Sequence, residues 1–363
     1  MANFIKRYGK WQARISWYED NKRKTKAKSG FPTKKQAQEW ATANEAKLNL
    51  GVNIKKEIAF IDYYSHWVET YKEPKVSDVT LRRYKITEKA LKKFFKQTQI
   101  KDITRTKYQE FINAYGKTHA PHTVKEVNRI VRACVRSAIL DDYLLKDFTQ
   151  RVTLVANDNK TVKVDYLNLT EIKALLKETV EGIDQQSDYS SRYMIATAIY
   201  TGMRLSEIQA LTWNDIDWLH QTIDINKSWN ANTREFKPTK NKPSIRKIKV
   251  NQKLLNLLSQ LKQRHISNMV FMTQFGTIPT SNAVNKMLRE LLTKLEIDRK
   301  NFHFHSLRHS HVALLLANGV DIYAISKRLG HSSTRTTTET YAYLMDEYKD
   351  KTNNQIANIL ENL

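Results

Sequence analysis

Apolar residues recur along the chain with two periods, and the switch between them divides it. Near the start, Lys10-Trp-Gln-Ala-Arg-Ile-Ser-Trp-Tyr alternates apolar and polar positions, as a half-buried strand does. Asp20-Asn-Lys reads as a turn, and Arg23-Lys-Thr-Lys-Ala-Lys-Ser alternates again with a strongly basic face. Thr33 then has the place of a helix N-cap, ahead of a stripe of Ala37, Trp40, Ala41 and Leu48. Residues 1–56 are therefore expected to form a two- or three-stranded sheet on one helix. Across 57–160 the period becomes helical: Phe60, Tyr63, Tyr64, Trp67 and Val68; Leu81, Tyr84 and Ile86; Leu91, Phe94 and Phe95; then Thr123 to Ile139. These aromatics read as core rather than as a base-stacking platform. Arg82, Arg83, Lys85, Lys92 and Lys93 fall on the outer face.

The helical pattern stops at Asn157-Asp-Asn-Lys-Thr, a linker by its polarity. Leu169-Thr-Glu-Ile opens a new helical region with Thr170 as its cap. Residues 165–363 form the largest unit, mostly helical. One alternating pair stands apart within it, Thr222-Ile-Asp-Ile-Asn and Ile245-Arg-Lys-Ile-Lys-Val, separated by Pro238, Asn241 and Pro243. It predicts a small antiparallel sheet with a connecting turn. At the C-terminus Ile356, Ile359, Leu360 and Leu363 share one helical stripe, too short to stand alone. It must therefore pack on something, and the plain reading is its own unit. The fold class expected is multidomain and mainly α.

Charge changes this picture from a generic helical protein to one with a polyanionic partner. The 363 residues carry 61 Lys and Arg against 37 Asp and Glu, a formal net charge of +24. Residues 1–56 hold about +10 of it. Nucleic acid is the first candidate, beside the plainer alternative of a solvated basic surface. No apolar run approaches the ~20 residues that span a bilayer, and the N-terminus lacks the apolar core of a secretory signal. The expected place is the cytoplasm. Cys134 is the only cysteine and lies in an apolar stretch, so a buried, inert thiol is expected. No zinc-type cluster or phosphate-binding Gly-x-x-x-x-Gly-Lys loop occurs.

Three stretches of the last unit hold candidate chemistry: Thr201-Gly-Met-Arg-Leu-Ser-Glu-Ile; His305-Ser-Leu-Arg-His with Leu329-Gly-His331 downstream; and Thr337-Thr-Glu-Thr-Tyr341-Ala-Tyr343. Singly, each has a structural reading. Arg204 and Glu207 fit a surface helix pair, His305 and Arg308 ordinary helix polar positions, His331 a loop residue, and Tyr341 a core position. In this order and spacing they resemble the tyrosine recombinase (phage integrase) family. That pattern is Thr-Gly-x-Arg-x-x-Glu, a hairpin lysine, His-x-x-Arg, Leu-Gly-His, and a tyrosine about ten residues on. The resemblance covers roughly residues 167–345. More loosely, the N-terminal layout is similar to integrases of temperate phages and conjugative elements. Residues 1–56 would be an arm-type DNA-binding domain, 57–160 a helical core-binding (SAM-like) domain, and 165–363 the catalytic domain with its tail.

The resemblance implies roles. Arg204 and Arg308 would clamp the phosphate, with His305 and His331 completing the clamp and Glu207 in support. Lys240 would be the hairpin lysine and Tyr341 the nucleophile. Lys237 and Lys242 lie near the same turn, and Tyr343 stands where many relatives carry histidine, so both choices retain a competitor. Planar guanidiniums can bind both non-bridging oxygens of a phosphodiester, which removes the need for a metal ion. Tyrosine attack would give a 3′-phosphotyrosyl ester, with Lys240 protonating the leaving 5′-oxygen. The bond energy stays in the ester, so no cofactor is implied. The resemblance further implies double-stranded DNA with core and arm attachment sites as partner, a homotetramer on DNA, and room for an excisionase and a host DNA-bending protein. Competing functions are a chromosome-dimer resolvase, a type IB topoisomerase, and a regulator that binds DNA without catalysis.

Overall fold

The computed structural model describes residues 2–19, 22–49, 57–161, 164–183, 190–264, 267–347 and 360–361. The chain divides into two compact units, Met1–Thr161 and Val162–Leu363.

In the first unit, β1 (Asn3–Arg7), β2 (Lys10–Glu19) and β3 (Lys22–Phe31) form an antiparallel sheet in that order, with α1 (Lys34–Asn49) against it. Tyr8 and Gly9 both have positive φ, as the tight β1–β2 hairpin turn requires. Alternation along β2 turns Ala13 and Ile15 inward onto Ala37 and Ala41 of α1. Thr33 caps α1, its Oγ1 accepting from the Gln36 amide at 3.3 Å. The expected turn at residues 20–21 lies outside the described residues. The helices α2 (Phe60–Tyr71), α3 (Asp78–Phe95), α4 (Arg105–Gly116) and α5 (Pro121–Leu140) enclose a second core. Phe60, Tyr64, Trp67, Phe95, Tyr108 and Phe111 fill it, which fits aromatics in a packing role. The hydroxyls are satisfied inside, Tyr64 donating to the Tyr84 carbonyl and Tyr108 to Asn128. Cys134 is fully buried, and burial pushes its thiol up, so it behaves as a small hydrophobe. One expected core position fails: Ile86 is exposed, because Tyr84 and Thr87 already occupy the inward face of α3. The outer basic residues of α3 are exposed as expected.

In the second unit, α6 (Leu169–Glu181) is capped by Asn168, not by Thr170. Asn168 Oδ1 accepts from the Glu171 amide, and Glu171 reaches back to the Asn168 amide. The reciprocal bond satisfies two orphan donors, which Thr170, inside the first turn, cannot do. Next come α7 (Ser190–Thr201), buried nearly all round, and the short α8 (Leu205–Gln209). Strands β4 (Ile216–Asp217), β5 (Thr222–Ile225), β6 (Lys227–Asn230), β7 (Glu235–Pro238) and β8 (Arg246–Lys249) follow. The expected pairing holds: β5 and β8 are antiparallel, with Ile223 opposite Ile248 and Ile225 opposite Arg246. The connection is more than a turn, since β6 and β7 form a hairpin of their own. Helices α9 (Gln252–Arg264), α10 (Ser281–Lys294) and α11 (Phe304–Ala317) pack on α7, burying Leu254, Leu258, Leu288 and Leu307 with it. Finally α12 (Ile322–Leu329) and α13 (Thr334–Glu347) form a smaller core with α11, from Val312, Ala313, Ile325, Leu329 and Tyr341. Of the C-terminal stripe only Leu360 is described, and it is exposed; the expectation for the tail otherwise lies outside the described residues.

Candidate active site

The sharp turn after α7 is built by two residues. Thr201 Oγ1 donates to the Thr197 carbonyl and accepts from the Met203 amide. Gly202 has φ +66°, and a Cβ there would stand 2.7 Å from the His311 ring, so only glycine fits. The turn delivers Arg204 to the N-cap of α8. There Glu207 closes back on it, accepting from the Arg204 amide at 3.0 Å and from Arg204 Nη1 at 2.8 Å. Glu207 is buried, unlike a surface-pair residue. A second guanidinium, from Arg246 on β8, meets the same carboxylate at 2.9 and 3.3 Å. Burial alone would raise the Glu207 pKa. The bond and charge of Arg246, then the charge of Arg204, outweigh it and hold the carboxylate below its ordinary range.

Arg308 comes from α11 and is buried. Its Nη1 donates to the Gly202 carbonyl and its Nη2 to the Leu329 carbonyl, both at 2.7 Å. Arg246 Nε donates to the Arg328 carbonyl at 2.6 Å. Two arginines thus cap the negative C-terminal end of α12, where carbonyls lack helical partners. Gly330 ends that helix in the left-handed region at φ +70°, and a Cβ on it would meet the Pro243 carbonyl at 2.9 Å. His331 follows, with Nε2 3.0 Å from Arg308 Nη2 and Nδ1 2.7 Å from Thr337 Oγ1. Arginine only donates, so Nε2 accepts and the ring proton is assigned to Nδ1, pointing at Thr337.

Burial, followed by the charge of Arg204, lowers Arg308 to about 9, so it remains charged at neutral pH. Desolvation, then Arg308 and neighbouring cations, pushes His305 and His331 down to about 4, so both are neutral imidazoles. His305 keeps an opening to solvent and stacks edge-on against His309, centroids 5.1 Å apart. Two guanidiniums bond one carboxylate here and a third, Arg308, lies in the same cluster, which leaves an excess of positive charge beside uncharged hydrogen-bonding rings. An anion with oxygens to share is the ligand such a site can hold.

Of the residues singled out from sequence, Arg204, Glu207, His305, Arg308 and His331 come together. Tyr341 is 1 % exposed, packed among Val312, Ile325 and Leu329 beside the cluster, with its hydroxyl 2.7 Å from His309 Nδ1. Lys240 is not in the cluster. It is exposed between β7 and β8, as Lys242 is there and Lys237 is on β7, and its side chain makes no hydrogen bond or ion pair among the described residues. The side chain of Tyr343 lies outside the described residues. Arg246 and His309 went unremarked in the sequence, yet both carry a signal. Arg246 shares strand parity with Ile248 and Val250, an arginine on an apolar face; His309 lies one helical turn from His305.

Comparison with known proteins gives the family and the domains. Residues 165–347 match the phage integrase family, 1–48 an arm DNA-binding domain, and 59–115 a phage integrase N-terminal SAM-like domain. The ICEBs1 integrase of Bacillus subtilis (strain 168) is 28% identical over 275 residues, covering 71% of this chain and 72% of that protein. The integrase of Staphylococcus phage L54a is 26% identical over 324 residues, covering 80% and 90%. Among solved structures, the Tn1549 transposon integrase in complex with transposon right end DNA superposes with a TM-score of 0.70 at 19% identity, over 83% of this chain and all of that one. A lambda integrase tetramer bound to a Holliday junction gives 0.58 at 15% identity, over 92% and 96%. The match to its largest unit, with the Arg204, Arg308 and His331 geometry and the nearby Tyr341, makes the chain a member of the phage integrase family, the tyrosine recombinases.

Proposed function

We propose that this protein integrates and excises a mobile DNA element by cutting and rejoining DNA at specific sites through Tyr341. The observation that carries the assignment of residues is the convergence of Arg204, Arg308 and His331 on one electropositive spot beside that tyrosine. Arg204 and Arg308 hold the non-bridging oxygens of the scissile phosphate and neutralise the charge that grows on them in the transition state. Glu207 and Arg246 keep Arg204 and the end of α12 in place. His331, its tautomer set by Thr337, adds a neutral contact, and His305 another. Tyr341 Oη attacks phosphorus, giving a 3′-phosphotyrosyl ester, and Lys240 protonates the departing 5′-oxygen. Lys240 reaches the site on DNA from its exposed turn, and the scissile phosphate must be brought against the buried hydroxyl of Tyr341. Both requirements make activity depend on assembly with DNA.

Residues 1–56 serve as the arm-type DNA-binding domain, 57–160 as the core-binding domain, and 165–363 as the catalytic domain with its tail. The active form is a homotetramer on two duplexes in a bacterial cytoplasm, with an excisionase and a host DNA-bending protein as partners for directionality and wrapping. No described helix is long and apolar enough to cross a membrane. The test is trapping on a nicked core substrate, from which the short fragment that carries the new 5′-hydroxyl escapes after cleavage. Wild type should accumulate covalent protein–DNA complex, and Tyr341→Phe should bind the site but form none. Complexes formed by Tyr341→Phe would refute the assignment, and their loss in Tyr343→Phe alone would move it to Tyr343.

A further inference from the structure

The hydroxyl of Tyr341 lies 2.7 Å from Nδ1 of His309, with ring centroids 5.5 Å apart. His309 follows Arg308 on α11, and none of the roles assigned so far uses it. We propose that His309 is a catalytic residue whose Nδ1 accepts the phenolic proton of Tyr341 as Oη attacks phosphorus, a role that rests on the reading of Tyr341 as nucleophile. To accept, the neutral ring carries its own proton on Nε2.

The step balances. The Oη–P bond forms with the phenol's electron pair while the P–O5′ bond breaks, its pair leaving on O5′. O5′ takes a proton from Lys240, and the Tyr341 proton rests on His309 Nδ1. On rejoining, the 5′-hydroxyl attacks the phosphotyrosyl ester and its proton returns to Lys240. Oη then leaves and recovers its proton from His309, which acts as general acid in that direction.

The surroundings make this base conditional on substrate. Its neighbours are His305 and Arg308 on its own helix, His303 at the head of that helix, and Tyr341 on α13. Burial first, then the charges of His305, Arg308 and His303, pushes the ring down to about 4, which makes it a weak base without DNA. A phosphodiester held by Arg204 and Arg308 brings a negative charge that offsets the guanidinium of Arg308 beside the ring and strengthens the base. Tyr341 thus stays protonated and buried in the free protein and is activated when the scissile phosphate arrives.

A structural explanation also exists, because a buried hydroxyl needs a partner. The two differ in what asparagine can do. At position 309 it can hold a hydrogen bond to Oη, but it cannot carry away a proton. The experiment is single-turnover covalent-complex formation by full-length protein on the nicked core substrate, from about pH 5.5 to 9. Wild type, His309→Asn, His309→Ala, Lys240→Ala and Tyr341→Phe are compared, with melting temperatures of all five. Both His309 variants should fold and bind DNA but form complex ~10²–10⁴-fold more slowly, the usual worth of a positioned base. His309→Asn should also lose the rise of rate with pH that wild type shows on the acid side. A substrate with sulfur at the bridging 5′ position needs no proton on its leaving group. It should rescue Lys240→Ala and leave the His309 variants slow. If His309→Asn keeps wild-type rate and pH profile, or is slowed with the profile unchanged, His309 only positions Tyr341 and the proposal fails. Complex formation by Tyr341→Phe would remove the underlying reading instead.

Discussion

Replacing Glu207 by alanine should destabilise the second unit by about 3 kcal/mol or more, although the position was first legible as an i, i+3 surface pair. Its side chain is 3 % exposed and accepts bonds from two guanidiniums and one backbone amide. Arg204 is 27 % exposed in the same pair, so it can turn to water once its partner is gone, and its share of the loss is small. Arg246 is 7 % exposed and fixed by bonds to the Arg328 and Ser244 carbonyls, so it cannot. Truncating one member of a buried pair strands the other charge, at a typical cost of about 3–5 kcal/mol; the lower end applies because the two carbonyls remain. For a domain of this size about 3 kcal/mol is about 6–12 °C in Tm. Calorimetry on the full chain, with hydrogen exchange in α8 to assign the transition, measures it. Cleavage should fall as well, since Arg204 loses its anchor. The stranded-charge explanation makes a second demand: Glu207→Leu combined with Arg246→Met, which removes both charges, should be more stable than Glu207→Ala alone. A Tm for Glu207→Ala within about 2 °C of wild type, or a double variant worse than the single, would overturn the reasoning.

Arg308→Lys should lower the cleavage rate at least about a hundredfold, because an ammonium cannot reach the Gly202 and Leu329 carbonyls and a phosphate together; Arg204→Ala should cost a similar factor, and near-normal turnover of either on a core substrate argues against the clamp. Stability should depend on pH through the histidines. His311 accepts from Arg328 Nε and bonds the Ile199 carbonyl, and burial pushes it down to about 3; His309 and His331 stand at about 4. Their folded values lie below the ordinary ~6.5, so the unfolded chain takes up protons first. Stability should be level above about pH 6.5 and fall from there towards 4, by at most about 1.4 kcal/mol per pH unit per histidine, and flat urea midpoints between pH 7.5 and 5 would contradict this. Deleting residues 1–56 should leave cleavage of a short core duplex intact and abolish integration between full attachment sites, while equal integration by the truncated protein would refute a separate arm-binding role.

Much of the outline was legible in sequence because it depends on local periodicity. A strand buried on one face must alternate, and a helix must repeat every three to four residues, so the sheet, the helical stretches and the β5–β8 pair showed themselves. Aromatics at helical spacing announced the core of the first unit. The order and spacing of Arg204, His305, Arg308, His331 and Tyr341 singled them out through the resemblance to the phage integrase family, although each alone reads as an ordinary structural residue. Where local rules competed, the sequence was ambiguous. Thr170 and Asn168 are both good caps, and only the bond from Glu171 chose Asn168. Ile86 fitted the helical stripe, but α3 had already filled its inward face.

What tertiary structure alone decided depends on contacts between distant segments. The stretch from Lys240 to Lys249 holds five basic residues, both ends included, and nothing local says that Arg246 turns inward to share Glu207 with Arg204 while Lys240 stays in solvent. The carbonyls that hold Arg308 come from the turn after α7 and the end of α12, about a hundred residues away on one side and twenty on the other. His309 meets Tyr341 only because α13 folds back across α11, 32 positions later in the chain. The sequence determined which groups are present and which faces are apolar, for both follow from residue type and short-range spacing. Which of those groups touch is set by how whole helices pack, and packing is a property of the entire core rather than of any segment within it.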